Sequence, residues 1–298
     1  MSTSRRCFFC FRYMTWYYLD MEHSEFEKNG LKIDKERVLT YSKLICPLHC
    51  AYCFVDEMSQ EQEKSVSYLS NEQVRLLQNL PEHVKLIMLG CDTEFFQNKR
   101  DALDVLNKLK TLRKDVSVIT KLPLSEKYLE EILLVAKEIE SNGNIFSFSI
   151  SIPCFSAVSL DKYEPGVPSP LKRIETLKHA FNSGLSTMIA IRPLLPDVDN
   201  SELESIIKLT KDFVIGYYSG PLYLKQDKIN VLLPGFKSKE EKKPHWMLEG
   251  NTYQELTKDG QMEYLASLVK KSGKQFFEGA AEGVSYARNM KKYDQSRN

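Results

Sequence analysis

Six short apolar runs, each followed by an amphipathic stretch, restrict this chain to few architectures. The runs are "RVLTYSKLI" (37–45), "VKLIML" (84–89), "VSVIT" (116–120), "IFSFSIS" (145–151), "STMIAIR" (186–192) and "FVIGYY" (213–218). Each is of strand length, and most are rich in β-branched or aromatic residues. Helical patterns lie between them. Ser70 starts one, with Gln73 completing a capping box, and Val74, Leu77 and Leu80 follow on one face. Ala102, Val105, Leu109 and Leu112 stripe the second, and Leu129, Ile132, Ala136 and Ile139 the third. The fourth opens at Ser169-Pro170 and stops at Gly184. Ser201 and Glu204 box the start of the fifth. Strand–helix alternation repeated six times predicts an α/β fold, a parallel sheet with helices packed outside it. A doubly wound sheet and an open or closed barrel both satisfy the pattern.

The core so defined covers 37–220. It leaves an N-terminal segment rich in aromatics and cysteine (1–36) and a C-terminal extension (221–298), the latter with a basic stretch around 237–243 and a helix near 252–271. Net charge is +1, so no global field draws the chain to nucleic acid or an acidic membrane. No apolar run reaches transmembrane length. The N-terminal "CFFCFRYMTWYYL" is interrupted by Arg12 and Thr15, and no small-residue cleavage site follows it. Seven cysteines, an odd number, and no export signal argue against a disulfide framework and for a reducing, cytoplasmic setting.

In both architectures ligands bind at the C-terminal ends of the strands. Directly after the first strand stands "CPLHCAYCF", with Cys46, Cys50 and Cys53 in eight residues. Iron–sulfur clusters are held by cysteine thiolates, normally four. Three leave one iron open to a small molecule. The competing reading is a zinc knuckle that adds His49 or the distant Cys91.

The spacing C-x3-C-x2-C, with Tyr52 before the last cysteine, resembles the signature of the radical S-adenosylmethionine (SAM) superfamily. That resemblance implies a partial (β/α)6 TIM-like barrel and a [4Fe-4S] cluster held by Cys46, Cys50 and Cys53. It implies SAM chelated at the open iron, and an external electron donor of flavodoxin or ferredoxin type. It also implies reductive cleavage of SAM to a 5′-deoxyadenosyl radical that abstracts hydrogen from a substrate. Further segments resemble the spore photoproduct lyase-like subgroup. In "LGCDTEFFQ" (89–97), Cys91 falls where the lyases carry a cysteine that returns hydrogen to the product radical. A buried cysteine packed as a small apolar residue is the alternative. Asp92, Thr93 and Glu94 are candidates to hold SAM, with one charged partner expected for its ammonium. By the same resemblance Lys121, in "VITKLPL", pairs with the SAM carboxylate, and Ser149 or Ser151 bonds its ribose. Glu164 and Arg173 match a Glu and an Arg-Ile helix of the subgroup and would shape the site. The lyases carry a tyrosine after the last cluster cysteine, in their hydrogen-relay path; here it is Phe54, while Tyr52 matches.

Three functions follow. The first is a radical SAM enzyme acting on a nucleic acid or nucleotide, with Lys225, Lys228, Lys237, Lys239, Lys242 and Lys243 as a basic patch and "DKINVLLPGFKSKEEKK" as a loop that could resemble the lyases' DNA-wedging hairpin. The second is a radical SAM enzyme modifying a peptide, protein or small molecule. The third is a non-catalytic zinc-binding module. Cys7 and Cys10 form an unpartnered C-x2-C pair, a weak candidate for an extra metal site. Phe11, Tyr13, Trp16, Tyr17 and Tyr18 either stack on bases or pack against the barrel.

Overall fold

The computed structural model describes residues 25–42, 44–55, 67–237, 240–247 and 251–295. Cys7, Cys10 and the aromatic set from Phe11 to Tyr18 lie outside the described residues, as does Lys239.

An antiparallel pair comes first, β1 (Leu31–Asp34) and β2 (Arg37–Thr40). From β2 the strands run parallel, each beside the next: β3 (Leu86–Leu89), β4 (Asp115–Thr120), β5 (Phe146–Ser151), β6 (Ser186–Ile191) and β7 (Gly216–Ser219). The connections carry helices α1 (Asn71–Gln78), α2 (Lys99–Leu109), α3 (Glu126–Ser141), α4 (Ala157–Tyr163), α5 (Pro170–Ser183) and α6 (Asn200–Thr210). Each of the six expected strands is present, and the parallel order is the expected one. The sheet does not close on itself; its order runs from β1 through β7 to a late strand, β11.

The C-terminal extension begins with β8 (Leu222–Leu224), α7 (Gln226–Leu232), β9 (Glu240–Lys242) and β10 (Tyr253–Leu256). Strands β8, β10 and β9 form a separate small antiparallel sheet. The segment read as a wedge-like loop is therefore largely the helix α7 and the strand β9. Helix α8 (Gln261–Lys271) follows; the residues from 252 expected to be helical are instead β10, whose edges are satisfied by two partners. Strand β11 (Gln275–Phe277) then returns to pair parallel with β7, and helix α9 (Ala280–Gln295) ends the described chain.

Local signals explain most helix ends. Ser70 and Gln73 make the reciprocal capping box expected of them. Pro170 sits in the first turn of α5, and Gly184 closes that helix in the left-handed conformation at φ 99°. At α6 the reading of Ser201 and Glu204 as the box is corrected: the cap is Asp199, two residues earlier. Glu202 is drawn away to accept hydrogen bonds from the backbone N–H groups of Phe155 and Ser156, both at 2.7 Å.

The two faces of the sheet differ in side-chain size. On the outer face Val116 and Val118, Phe146 and Phe148, and Ile189 and Ile191 alternate into the main core beneath the helices. Each such fully buried side chain contributes roughly 1.5–3 kcal/mol. The residues between them face inward and are smaller or polar: Ser117, Ser147, Ser149, Ser151 and Ala190. That leaves room inside the curve of the sheet. Helix α9 fills one end of it, packing against β4, β6, β7 and β11. Ala280 joins Met188, Ala190, Tyr218 and Phe277 in one inner cluster, and Val284 joins Leu86 and Ile145 in another. Gly283 is what permits the close approach; a Cβ there would lie 2.3 Å from the Met188 sulfur. The other end is a cavity.

Candidate active site

A cavity of about 270 Å³ opens at the C-terminal ends of the strands. Cys46, Cys50 and Cys53 line it, together with Cys91, Asp92, Thr93 and Glu94 after β3, Lys121 after β4 and Ser151 at the end of β5. Ser149 lies deeper, fully buried beside Tyr218. The topology thus gathers nearly every candidate residue onto one surface.

The cysteine loop is a tight turn. His49 adopts a left-handed φ of 43°, the Cys53 N–H donates to the Cys50 carbonyl at 2.9 Å, and the Ala51 N–H donates to the Tyr163 carbonyl at 3.0 Å. None of the five cysteines among the described residues is in a disulfide. Burial pushes the Cys46 thiol up, while the N–H groups of Leu48 and Glu94 and the Thr93 hydroxyl oppose that by pointing at its sulfur. Such donors are what a metal-bound thiolate needs around it. Among the described residues, no three His, Cys, Asp or Glu side chains converge as ligands of one ion would. All three cysteines line the cavity.

A buried charged cluster backs the loop. Glu164, 1% exposed, follows helix α4 and accepts from the Tyr52 hydroxyl at 2.5 Å and the Lys121 ammonium at 2.6 Å. Its other oxygen accepts from Arg173, which also donates to the carbonyls of Ser151 at 2.8 Å and Pro168 at 2.6 Å. Lys121 is therefore fixed in place, and its nitrogen lies 3.6 Å from the Cys50 sulfur. Burial would lower Lys121, but Glu164 and the Cys50 sulfur together outweigh it and hold the ammonium charged. Burial would likewise raise Glu164, yet Lys121 and Arg173 bring its carboxyl down to about 2. Two cations face one carboxylate, so the cluster keeps a net positive charge beside the cysteines.

The acidic loop after β3 divides its work. Glu94 is fully occupied: its oxygens accept from the Thr120 hydroxyl at 2.6 Å and from the N–H groups of Phe96 at 3.0 Å and Lys121 at 2.9 Å. It ties two strand ends together. Asp92, 8% exposed, keeps one oxygen, Oδ1, with no partner. Burial pushes its carboxyl up to about 8, against N–H donors from Thr93, its own backbone and Ser42. Burial also pushes the Cys91 thiol up to about 12, with the Asp92 charge adding to it, so Cys91 keeps its S–H bond at neutral pH.

The extension supplies residues that motif reading missed. Trp246 and Met247 roof the cavity. The Trp246 ring meets Phe54 edge-on at 5.7 Å and Tyr223 at 5.9 Å, and its carbonyl accepts from the Tyr41 hydroxyl at 3.0 Å. Of the expected basic patch, Lys228 donates to the Cys53 carbonyl at 2.5 Å, Lys242 pairs with Glu255 at 2.9 Å, and Lys225 lies over the Tyr253 ring. Among the described residues no helix is long and apolar enough to cross a membrane.

A parallel sheet that presents three cysteines, a buried acid and a fixed lysine at one mouth defines a cofactor-using enzyme of the α/β barrel class. The chain belongs to the Radical SAM superfamily, whose family model matches residues 40–210. It is 25% identical over 210 residues to the uncharacterized protein MJ0683 of Methanocaldococcus jannaschii, covering 67% of this chain and 76% of that one. Among solved structures it is similar in fold to a spore photoproduct lyase variant with bound AdoMet and dinucleoside spore photoproduct. That match has 11% identity and a TM-score of 0.54, and covers 78% of this chain and 73% of the other. A match to Streptococcus suis SuiB bound to its precursor peptide SuiA has 15% identity and a TM-score of 0.49. It covers 74% of this chain but only 46% of SuiB. Membership of the family implies a [4Fe-4S] cluster and SAM.

Proposed function

We propose that Cys46, Cys50 and Cys53 hold the four-iron cluster, and that the chain cleaves SAM reductively to abstract hydrogen from a substrate seated in the same cavity. The observation that carries this reading is that the three cysteines, Asp92 with its unpartnered oxygen and Lys121 all line one cavity. When bound, the cluster and SAM supply the electron and the carbon radical. The protein's own contributions are positional. Asp92 Oδ1 offers the ammonium of SAM an acceptor that ionises when a cation is placed beside it, and Lys121, anchored by Glu164, offers its carboxylate a cation. Ser151 lies at the strand end from which a ribose could be reached. Tyr52 is committed to Glu164 and Lys121, so it braces the cysteine loop. Cys91 keeps its hydrogen, and an S–H bond is weaker than most C–H bonds, which suits it to return a hydrogen atom to a carbon radical.

A nucleotide or nucleic-acid substrate is favoured by the aromatic wall of Phe54, Tyr223 and Trp246, since every base has a face or edge that such rings can meet. A peptide or small molecule is the second reading. It is favoured by the engagement of Lys225, Lys228 and Lys242 in contacts of their own, which weakens the basic patch. The test is anaerobic reconstitution with iron and sulfide, followed by reduction with SAM alone and then with each substrate class. Four-iron absorbance and formation of 5′-deoxyadenosine support the reading. A colourless protein that carries zinc ends it.

A further inference from the structure

Arg192 leaves the C-terminal end of β6 and enters the cavity on the side of Tyr218, Tyr223, Trp246 and Ala280. Its guanidinium is held between two surfaces. Gly220 lies on one side, where a Cβ would stand 3.1 Å from Cζ and 3.3 Å from Nε and Nη1. The Trp246 ring lies on the other, its centroid 5.5 Å from Cζ. A side chain at position 220 would press on the guanidinium by a few tenths of an ångström, so the glycine there lets it lie flat against the backbone.

What Arg192 lacks is an anion. Arg173 is matched by Glu164, Arg37 by Asp34 and Arg288 by Asp115. Among the described residues Arg192 has no carboxylate partner and donates no hydrogen bond. Arginine cannot shed its proton to escape this, as a buried lysine can. Arg192 is half-buried at the cavity wall, and a guanidinium partly withdrawn from water gains by pairing with an anion. Arg37 faces the same cavity and adds its positive field to the same side, and both act on Cys91. The residues assigned to SAM, namely Asp92 and Lys121, come from β3 and β4, whereas Arg192 stands at the end of β6.

We propose that Arg192 anchors an oxyanion of the substrate, a carboxylate or a phosphate, and so holds the substrate against Trp246 with its reacting carbon toward Cys91. The planar fork of the guanidinium fits either group through two parallel hydrogen bonds. The proposal rests on the reading of this cavity as the substrate site of a radical SAM enzyme.

The test is equilibrium binding by calorimetry to the reconstituted, SAM-saturated protein at fixed ionic strength. The probes are thymidine 5′-monophosphate for the phosphate, succinate for the carboxylate and thymidine as the uncharged control. Wild type, Arg192→Met and Arg192→Lys are compared, and SAM affinity is measured for each. At least one anionic probe should bind wild type and lose about tenfold or more in Arg192→Met, the worth of one charge-assisted pair. Arg192→Lys should recover part of the loss, since it restores charge without the fork. The probe that loses affinity names the oxyanion. The proposal is overturned if neither anion binds wild type, if both variants bind the anions as wild type does, or if Arg192→Met loses SAM affinity instead, which would place Arg192 on the cofactor. Failure of the underlying reading looks different: wild type would form no 5′-deoxyadenosine from SAM, whatever the probes do.

Discussion

Glu164 and Lys121 lie 43 residues apart in the chain and 2.6 Å apart in space, the carboxylate after α4 meeting the ammonium that follows β4. Because Arg173 and Tyr52 converge on the same carboxylate, one buried anion sets the position of the cysteine loop, the third parallel strand and helix α5 together.

That dependence has a pH signature. Glu164 titrates near 2 in the folded chain and near its ordinary value of 4.5 when unfolded, so its pairing stabilises the fold above that range and is lost as pH falls toward 2. Thermal melts of the wild type should fall across this window. Glu164→Gln should melt with a flatter acid limb and, at pH 7, lose on the order of 3 kcal/mol by leaving two buried cations without their anion. An unchanged melt at pH 7 would mean the cluster is not holding the loop.

Cys46→Ala, Cys50→Ala and Cys53→Ala should each abolish cleavage of SAM and reduce bound iron after reconstitution. Iron content and 5′-deoxyadenosine are the readouts. Retention of both in any one variant would remove that cysteine from the ligand set.

Cys91→Ala should still cleave SAM but divert the substrate radical, giving altered products or adducts in place of the normal product. Chromatography of the product mixture checks this. An identical mixture would leave Cys91 as packing.

Asp92 makes a prediction of opposite sign to Glu164. Between its ordinary 3.8 and about 8 the folded chain keeps a proton that the unfolded chain has lost, so its contribution to stability declines as pH rises. Binding an ammonium requires the ionised form. SAM affinity should therefore rise as pH approaches about 8 and fall again once the ligand's own α-ammonium is deprotonated, and Asp92→Asn should weaken binding and remove the rising limb. A pH-independent affinity in wild type would move the ammonium elsewhere.

Gly216→Ala tests the added strand. A Cβ there would lie 2.6 Å from the Gln275 carbonyl oxygen, a backbone atom that cannot step aside, and 2.5 Å from the Phe277 ring. The cost should be about 1–3 kcal/mol, the usual range for overpacking, and hydrogen exchange should speed up at β11 before the other strands. Exchange that speeds up uniformly would mean that β11 is no separate edge unit.

The parts legible in the sequence were those written locally. A capping box at Ser70, a proline at 170, a glycine at 184 and six apolar runs each carry their own physics within a few residues. The cysteine spacing is local in the same sense. Strand β11 was hidden because three residues, "QFF", give no periodicity; it exists through pairing with Gly216 some sixty residues earlier. Trp246 and Arg192 were hidden for a related reason. A tryptophan after a lysine-rich stretch and an arginine before a proline look ordinary until the fold stacks one on the other. Helix α6 has its cap at Asp199 rather than Ser201, and Glu202 in its first turn serves the loop at Phe155 and Ser156, a contact that sequence spacing does not reveal.

Helix α9 bears on how long a reactive species could survive here. It stops the lower end of the curved sheet, so the interior left between the described strands is a recess rather than a passage. Among the described residues that recess opens at the C-terminal ends of the strands, where a bound substrate would itself shield the reacting carbon from solvent.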